Sequence, residues 1–138
     1  MERLKIKIGA MDAVFVAVSL AFLLGLLFLF GPCGPKEDGD WMTCHWAGNA
    51  VTGLAGVLFV VSLLRLLAPK KEIKTGLSLA VIPVSLLACL LPGRMIQLCM
   101  MKMMRCHAVM APAVTIFGIL MIVISVIDIA AAYRRGKQ

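Results

Sequence analysis

Two Cys-His doublets, Cys44-His45 and Cys106-His107, and a methionine cluster, Met100, Met101, Met103 and Met104, are the residues of this 138-residue chain with the most chemistry to offer. Thioethers and imidazoles suit copper, and two facing imidazoles hold a b-type haem axially. Thiols serve disulfides or thiol exchange. Adjacent residues point about 100° apart on a helix and to opposite faces of an extended segment, so each doublet can give one residue to a shared site. A division of labour follows: the cysteines staple loops, while His45 and His107 face each other and, alone or with the methionines, hold haem b or copper. No Cys-x-x-Cys-His occurs, which excludes covalent haem attachment, and the absence of any Cys-x-x-Cys weakens the alternative of a membrane thiol-disulfide oxidoreductase.

The stretch Leu98 to His107, "LCMMKMMRCH", admits two exclusive readings. As a helix it aligns Cys99, Met103, Cys106 and Met110 on one stripe. Cys99 and Cys106 would then stand roughly 10 Å apart, beyond the ~7 Å ceiling for bridged α-carbons, so helix and local bridge exclude each other. Four cysteines, Cys33, Cys44, Cys99 and Cys106, flank the apolar runs; Cys89 lies inside one. One bridge per loop is the simplest pattern, and closing Cys33 to Cys44 would contribute roughly 2–4 kcal/mol, but all connectivities stay open.

Whatever these side chains do, apolar spans must position them. Hydrophobic residues make up 62% of the chain and charged ones 15%, against roughly 45–50% apolar usage in soluble domains. Four runs, 8–30, 46–68, 75–91 and 108–133, approach or exceed the ~20 residues a membrane helix needs. The third is shortest, and Lys74 and Arg94 can snorkel from its ends. The reading is an all-α integral membrane protein, a single four-helix transmembrane domain. Span one is too long and too bulky at its end for a cleaved secretory signal, so it is expected to stay attached. Cations cluster at Arg3, Lys5 and Lys7, at Arg65, Lys70, Lys71 and Lys74, and at Arg134, Arg135 and Lys137. The positive-inside rule then makes both termini cytoplasmic, with loops 31–45 and 92–107 outside a cytoplasmic (inner) membrane, where disulfides persist. The net charge of +7 is thus topological, and nucleic acid is excluded as a partner because no basic surface interleaved with aromatics stands apart from the lipid flanks.

The two halves share an orientation and resemble parallel helical-hairpin repeats: both outer loops end in Met-x-Cys-His, and at that offset Gly56 falls on Gly118. Ala13, Ala17, Ala21 and Gly25 on span one, and Gly48, Thr52 and Gly56 on span two, are ladders of small residues that predict close helix packing. Pro83 and Pro112 are expected to bend spans three and four. Acidic "KEDGD" in the first loop faces Arg94, Lys102 and Arg105 in the second as two solvated loops. Asp12 and Asp128 fall at one depth near the inner ends of spans one and four, with Arg65 or Lys74 as partners; acids inside a membrane are functional candidates.

"GPCGPKEDGDWMTCHWAG" followed by "CMMKMMRCH" resembles an uncharacterised family of small four-span bacterial and archaeal membrane proteins, a domain of unknown function, over nearly the whole chain. That family brings no catalytic residues. The resemblance implies an accessory role beside ABC transporters with large outer domains. No phosphate-binding glycine loop, zinc-protease helix or catalytic triad is present, so the reading leans away from an enzyme. The expectation is an accessory or scaffold subunit of a larger membrane assembly, whose partners are the lipid bilayer and another membrane protein or further copies of itself.

Overall fold

The computed structural model describes residues 9–29, 37–40, 43–97 and 106–137, apart from the side chains of Cys44 and Cys106. Four helices carry the chain: α1, Ala10–Leu24, which widens into a π turn at Gly25–Leu29; α2, Thr43–Leu67; α3, Lys71–Leu90; and α4, Ala111–Gly136, preceded by a π turn at Cys106–Met110. Each is long and apolar enough to cross a membrane.

Buried positions on each helix recur at steps of three and four, the spacing that gives a helix one inward stripe. On α1 the stripe is Asp12, Phe15, Ser19 and Phe22, continued by Leu26; on α3 it is Ser78, Val81, Ser85 and Ala88. α2 contributes Ala47, Val51, Ala55, Leu58, Ser62 and Arg65, and α4 Val114, Gly118, Met121, Ile124 and Ser125, preceded by Met110 of the π turn. Between 28% and 33% of each apolar window is covered by the rest of the bundle. The remainder is a surface of Leu, Ile, Val and Phe side chains, as lipid requires and water would not tolerate.

The helices close a ring in which α1 and α3 each pack against both α2 and α4. Ala68, Pro69 and Lys70 alone separate α2 from α3, and Pro69 cannot continue α2, so the chain turns back at once. At the other end of α3 a type II turn stops the helix. Pro92 (φ −74°, ψ 118°) and Gly93 (φ 85°, ψ −13°) take its two central positions, the second of which needs a positive φ. Ile96 is extended beyond it and its N–H donates to the Leu91 carbonyl at 3.1 Å.

Several sequence expectations shift here. α3 begins at Lys71 rather than at residue 75, which draws Lys74 into the helix and away from a snorkelling role; at 20 residues it is longer than the 15 of α1 before its π turn. Ala13, Ala17 and Ala21 are exposed, lying across α1 from its buried stripe, so of this ladder Gly25 alone is buried in the bundle. Gly56 also has open space around it. Close packing comes instead from Gly118, where an added Cβ would collide with Cys89 Sγ and stand 3.2 Å from the Ser85 carbonyl oxygen. Pro83 lies inside a continuous α3, and Pro112 lies in the first turn of α4, directly after the widened winding at 106–110.

Candidate functional site

Charged residues gather at one end of the ring, where α1 and α3 start and α2 and α4 finish. Arg65, one turn from the end of α2, points inward and is 3% exposed. Its Nε donates to Asp12 Oδ1 of α1 at 2.8 Å, and its Nη2 forms an ion pair with Asp128 Oδ1 of α4 at 2.8 Å. Nη1 donates to the Lys74 carbonyl of α3 at 3.2 Å and to Ser78 Oγ. One guanidinium therefore ties α2 to the other three helices, using its planar fork of five N–H donors as lysine could not.

The remaining valences close the network. Lys74 Nζ donates to the second oxygen of Asp12. Ser78 Oγ lies 2.9 Å from Asp128 Oδ2 and 3.0 Å from the Lys74 carbonyl oxygen; its single proton goes to the carboxylate, the stronger acceptor. Phe15, wholly buried one turn above Asp12, places its ring centroid 4.4 Å from the guanidinium carbon, a cation–π contact in a site shielded from water. Two carboxylates balance two cations. Neutrality and near-complete hydrogen bonding are what allow such charges inside an apolar bundle, where an isolated ion would be several kcal/mol too costly.

Above this clamp the interior is sparsely polar. Ser19, Ser62 and Ser125 are buried and donate at 2.8 Å to carbonyls four residues back on their own helices. Ser85 Oγ, also buried, has no hydrogen-bond partner among the described residues. Further from the clamp Phe22 stacks on Phe117 with centroids 5.2 Å apart, and Leu26, Val51, Met110 and Val114 fill the core. Below the clamp, at the end of the bundle, opens a pocket of about 740 Å³ whose lining includes Asp12, Arg65, Lys71, Glu72, Lys74, Asp128 and Arg135.

Asp12 and Asp128, separated by 116 positions in the sequence, thus converge on Arg65. Of the other chemistry-bearing candidates, His45 and His107 sit at the opposite end. His45 is in the first turn of α2, with Nε2 3.2 Å from Asn49 Nδ2 and its ring edge-on to Trp46 at 5.9 Å. His107 is exposed in the π turn before α4. Cys33, Cys99, Met100, Met101, Met103, Met104, Lys102 and Arg105 lie outside the described residues, as do the side chains of Cys44 and Cys106; the helical state of 98–105 and the disulfide pattern lie there too. Among the described residues no group of three or more His, Cys, Asp or Glu is arranged to hold a metal. Cys89 is a free thiol packed between α3 and α4, 3.8 Å from the Thr115 carbonyl.

Sequence reasoning did not name Ser78 and Phe15 as parts of the clamp. Their signal was periodicity: Phe15 follows Asp12 by three positions and Ser78 follows Lys74 by four, each one helical turn along the charged face. Arg65 was legible as a cation near a span end, and its inward direction was legible from Leu58 and Ser62, seven and three positions before it. No curated protein and no solved structure matches the chain. Residues 15–131 match the model described as "Domain of unknown function (DUF4418)", and the chain belongs to that family.

Proposed function

We propose that the protein is an accessory or scaffold subunit of a larger membrane assembly, seated in the cytoplasmic membrane with the clamp and both termini on the cytoplasmic side. The observation that carries this reading is the outward ladder of α1. Ala13, Ala17 and Ala21 stand exposed at steps of four on the face opposite Asp12, Phe15, Ser19 and Phe22. In lipid, where apolar residues gain nothing by leaving one another's solvent, a strip of small side chains lets a second helix approach closely enough for dispersion and backbone contacts to hold it. The clamp sets the rotation of α1, because Asp12 and Phe15 both address Arg65. The ladder is thereby fixed outward, available to a transmembrane helix of another protein. An ABC transporter is the partner that the sequence resemblance implies.

The orientation rests on Lys70 and Lys71 at the start of α3 and on Arg134, Arg135 and Lys137 at the end of α4, all at the clamp end. Arg65 and Lys74 carry less of that signal than a sequence count gives them, since Asp12 and Asp128 neutralise them.

Purification from native membranes in a mild detergent tests the reading. The expected result is a stoichiometric membrane partner that is lost from an Ala17→Leu, Ala21→Leu variant of unchanged helicity. A wild-type chain that migrates alone as a monomer, or a variant that keeps its partner, overturns it. A visible absorption band or stoichiometric copper in the sample would favour a haem- or copper-binding role through His45 and His107 instead.

A further inference from the structure

We propose that the pocket beneath the clamp binds a phosphate-bearing anion, with Lys71, Lys74 and Arg135 as its cationic lining. The argument starts from charge. Within the pocket wall Arg65 and Lys74 are balanced by Asp12 and Asp128. Outside that neutral set the described lining residues carry Lys71 and Arg135 against one acid, Glu72, leaving an excess of positive charge around a concave space. Such concavities focus potential more strongly than a flat surface bearing the same charges.

The clamp also prepares one donor. Asp12 takes one of the three N–H donors of Lys74, and the Lys74 side chain is 20% exposed where it lines the pocket. A lysine already held in place loses little freedom on meeting an anion, so the usual entropic penalty on a flexible side chain is largely absent. Arg65, 4% exposed and engaged in three hydrogen bonds and an ion pair with Asp128, anchors the wall and leaves anion contact to the lysines and Arg135.

Size and depth define the ligand class. The volume of about 740 Å³ falls in the range of sites for small organic molecules and exceeds what a bare phosphate fills. The pocket lies at the end of the bundle, lined by Gly9 where α1 begins and by Arg135 and Gly136 in the last turn of α4, and Tyr133, 72% exposed, stands in that same turn. A tyrosine at that position marks the headgroup layer of a bilayer, where phosphodiesters of anionic lipids are concentrated. The shared chemistry is a phosphate oxygen accepting from Lys71, Lys74 and Arg135; its source is a lipid headgroup or free phosphate, and the two are separable by experiment.

Thermal unfolding of the full-length chain is compared in nanodiscs of phosphatidylcholine alone and of phosphatidylcholine with phosphatidylglycerol, and in detergent with inorganic phosphate or chloride at equal ionic strength. Each comparison is repeated on Lys71→Gln, Arg135→Gln and on Lys70→Gln, Lys137→Gln, a control with the same loss of charge outside the lining. A higher midpoint with phosphatidylglycerol, lost in the first double variant and kept in the second, identifies a headgroup site. The same pattern with inorganic phosphate identifies a free-phosphate site. No shift in either arm, or equal loss in both double variants, overturns the proposal. Because each readout is on the isolated chain, the result is independent of whether α1 docks a partner.

Discussion

Arg65 and Asp12, 53 residues apart, meet through a 2.8 Å hydrogen bond with 4% and 5% of their side chains exposed. Loss of Arg65 would leave the buried Asp12 with Lys74 as its one cation and the half-buried Asp128 with no cation among the described residues. Breaking a buried pair in this way costs about 3–5 kcal/mol. Arg65→Met is therefore expected to lower stability by about that amount, read from unfolding in mild detergent. Asp128→Asn should cost less, because Asp128 is 15% exposed and Ser78 can still bond the amide oxygen.

Phe15 offers its ring face to the same guanidinium. Phe15→Leu keeps most of the apolar volume and removes the quadrupole. A loss of about 1–2 kcal/mol is expected from a desolvated cation–π contact. In an Arg65→Met background the same substitution should cost less than it does alone, so a double-mutant cycle isolates the contact.

Gly56 and Gly118 fall on each other when the two Met-x-Cys-His segments of the sequence are aligned, and their surroundings in the structure differ. Gly118→Ala forces Cys89 to move and presses on the Ser85 carbonyl, with an expected cost of about 1–3 kcal/mol for overpacking. Gly56→Ala meets open space and is expected to be neutral or slightly stabilising, since alanine is the better helix former by roughly 1 kcal/mol. Unfolding midpoints of the two variants, measured side by side, check this.

Thiol accessibility reports orientation. After gentle reduction of intact cells, a membrane-impermeant maleimide is expected to label Cys33, Cys44, Cys99 and Cys106 and to spare Cys89, which packs between α3 and α4. Labelling of those four only after lysis would reverse the proposed topology. Omitting the reduction step tells which of them are bridged.

Composition and run length were enough to specify four membrane-crossing helices, because crossing lipid is a local demand: each span must be apolar and satisfy its own backbone hydrogen bonds. The two intramembrane acids and their cationic partners were legible for the same reason, as charges out of keeping with their surroundings. The outward direction of Ala13, Ala17 and Ala21 was not, since a small-residue strip reads alike whether it packs inside the bundle or faces lipid. Rotation of each helix depends on contacts with the others. Asp12, Arg65, Lys74 and Asp128 supply those contacts from four separate segments, and only their convergence in space decides which face of α1 is buried, where Gly118 is pressed and where the pocket opens.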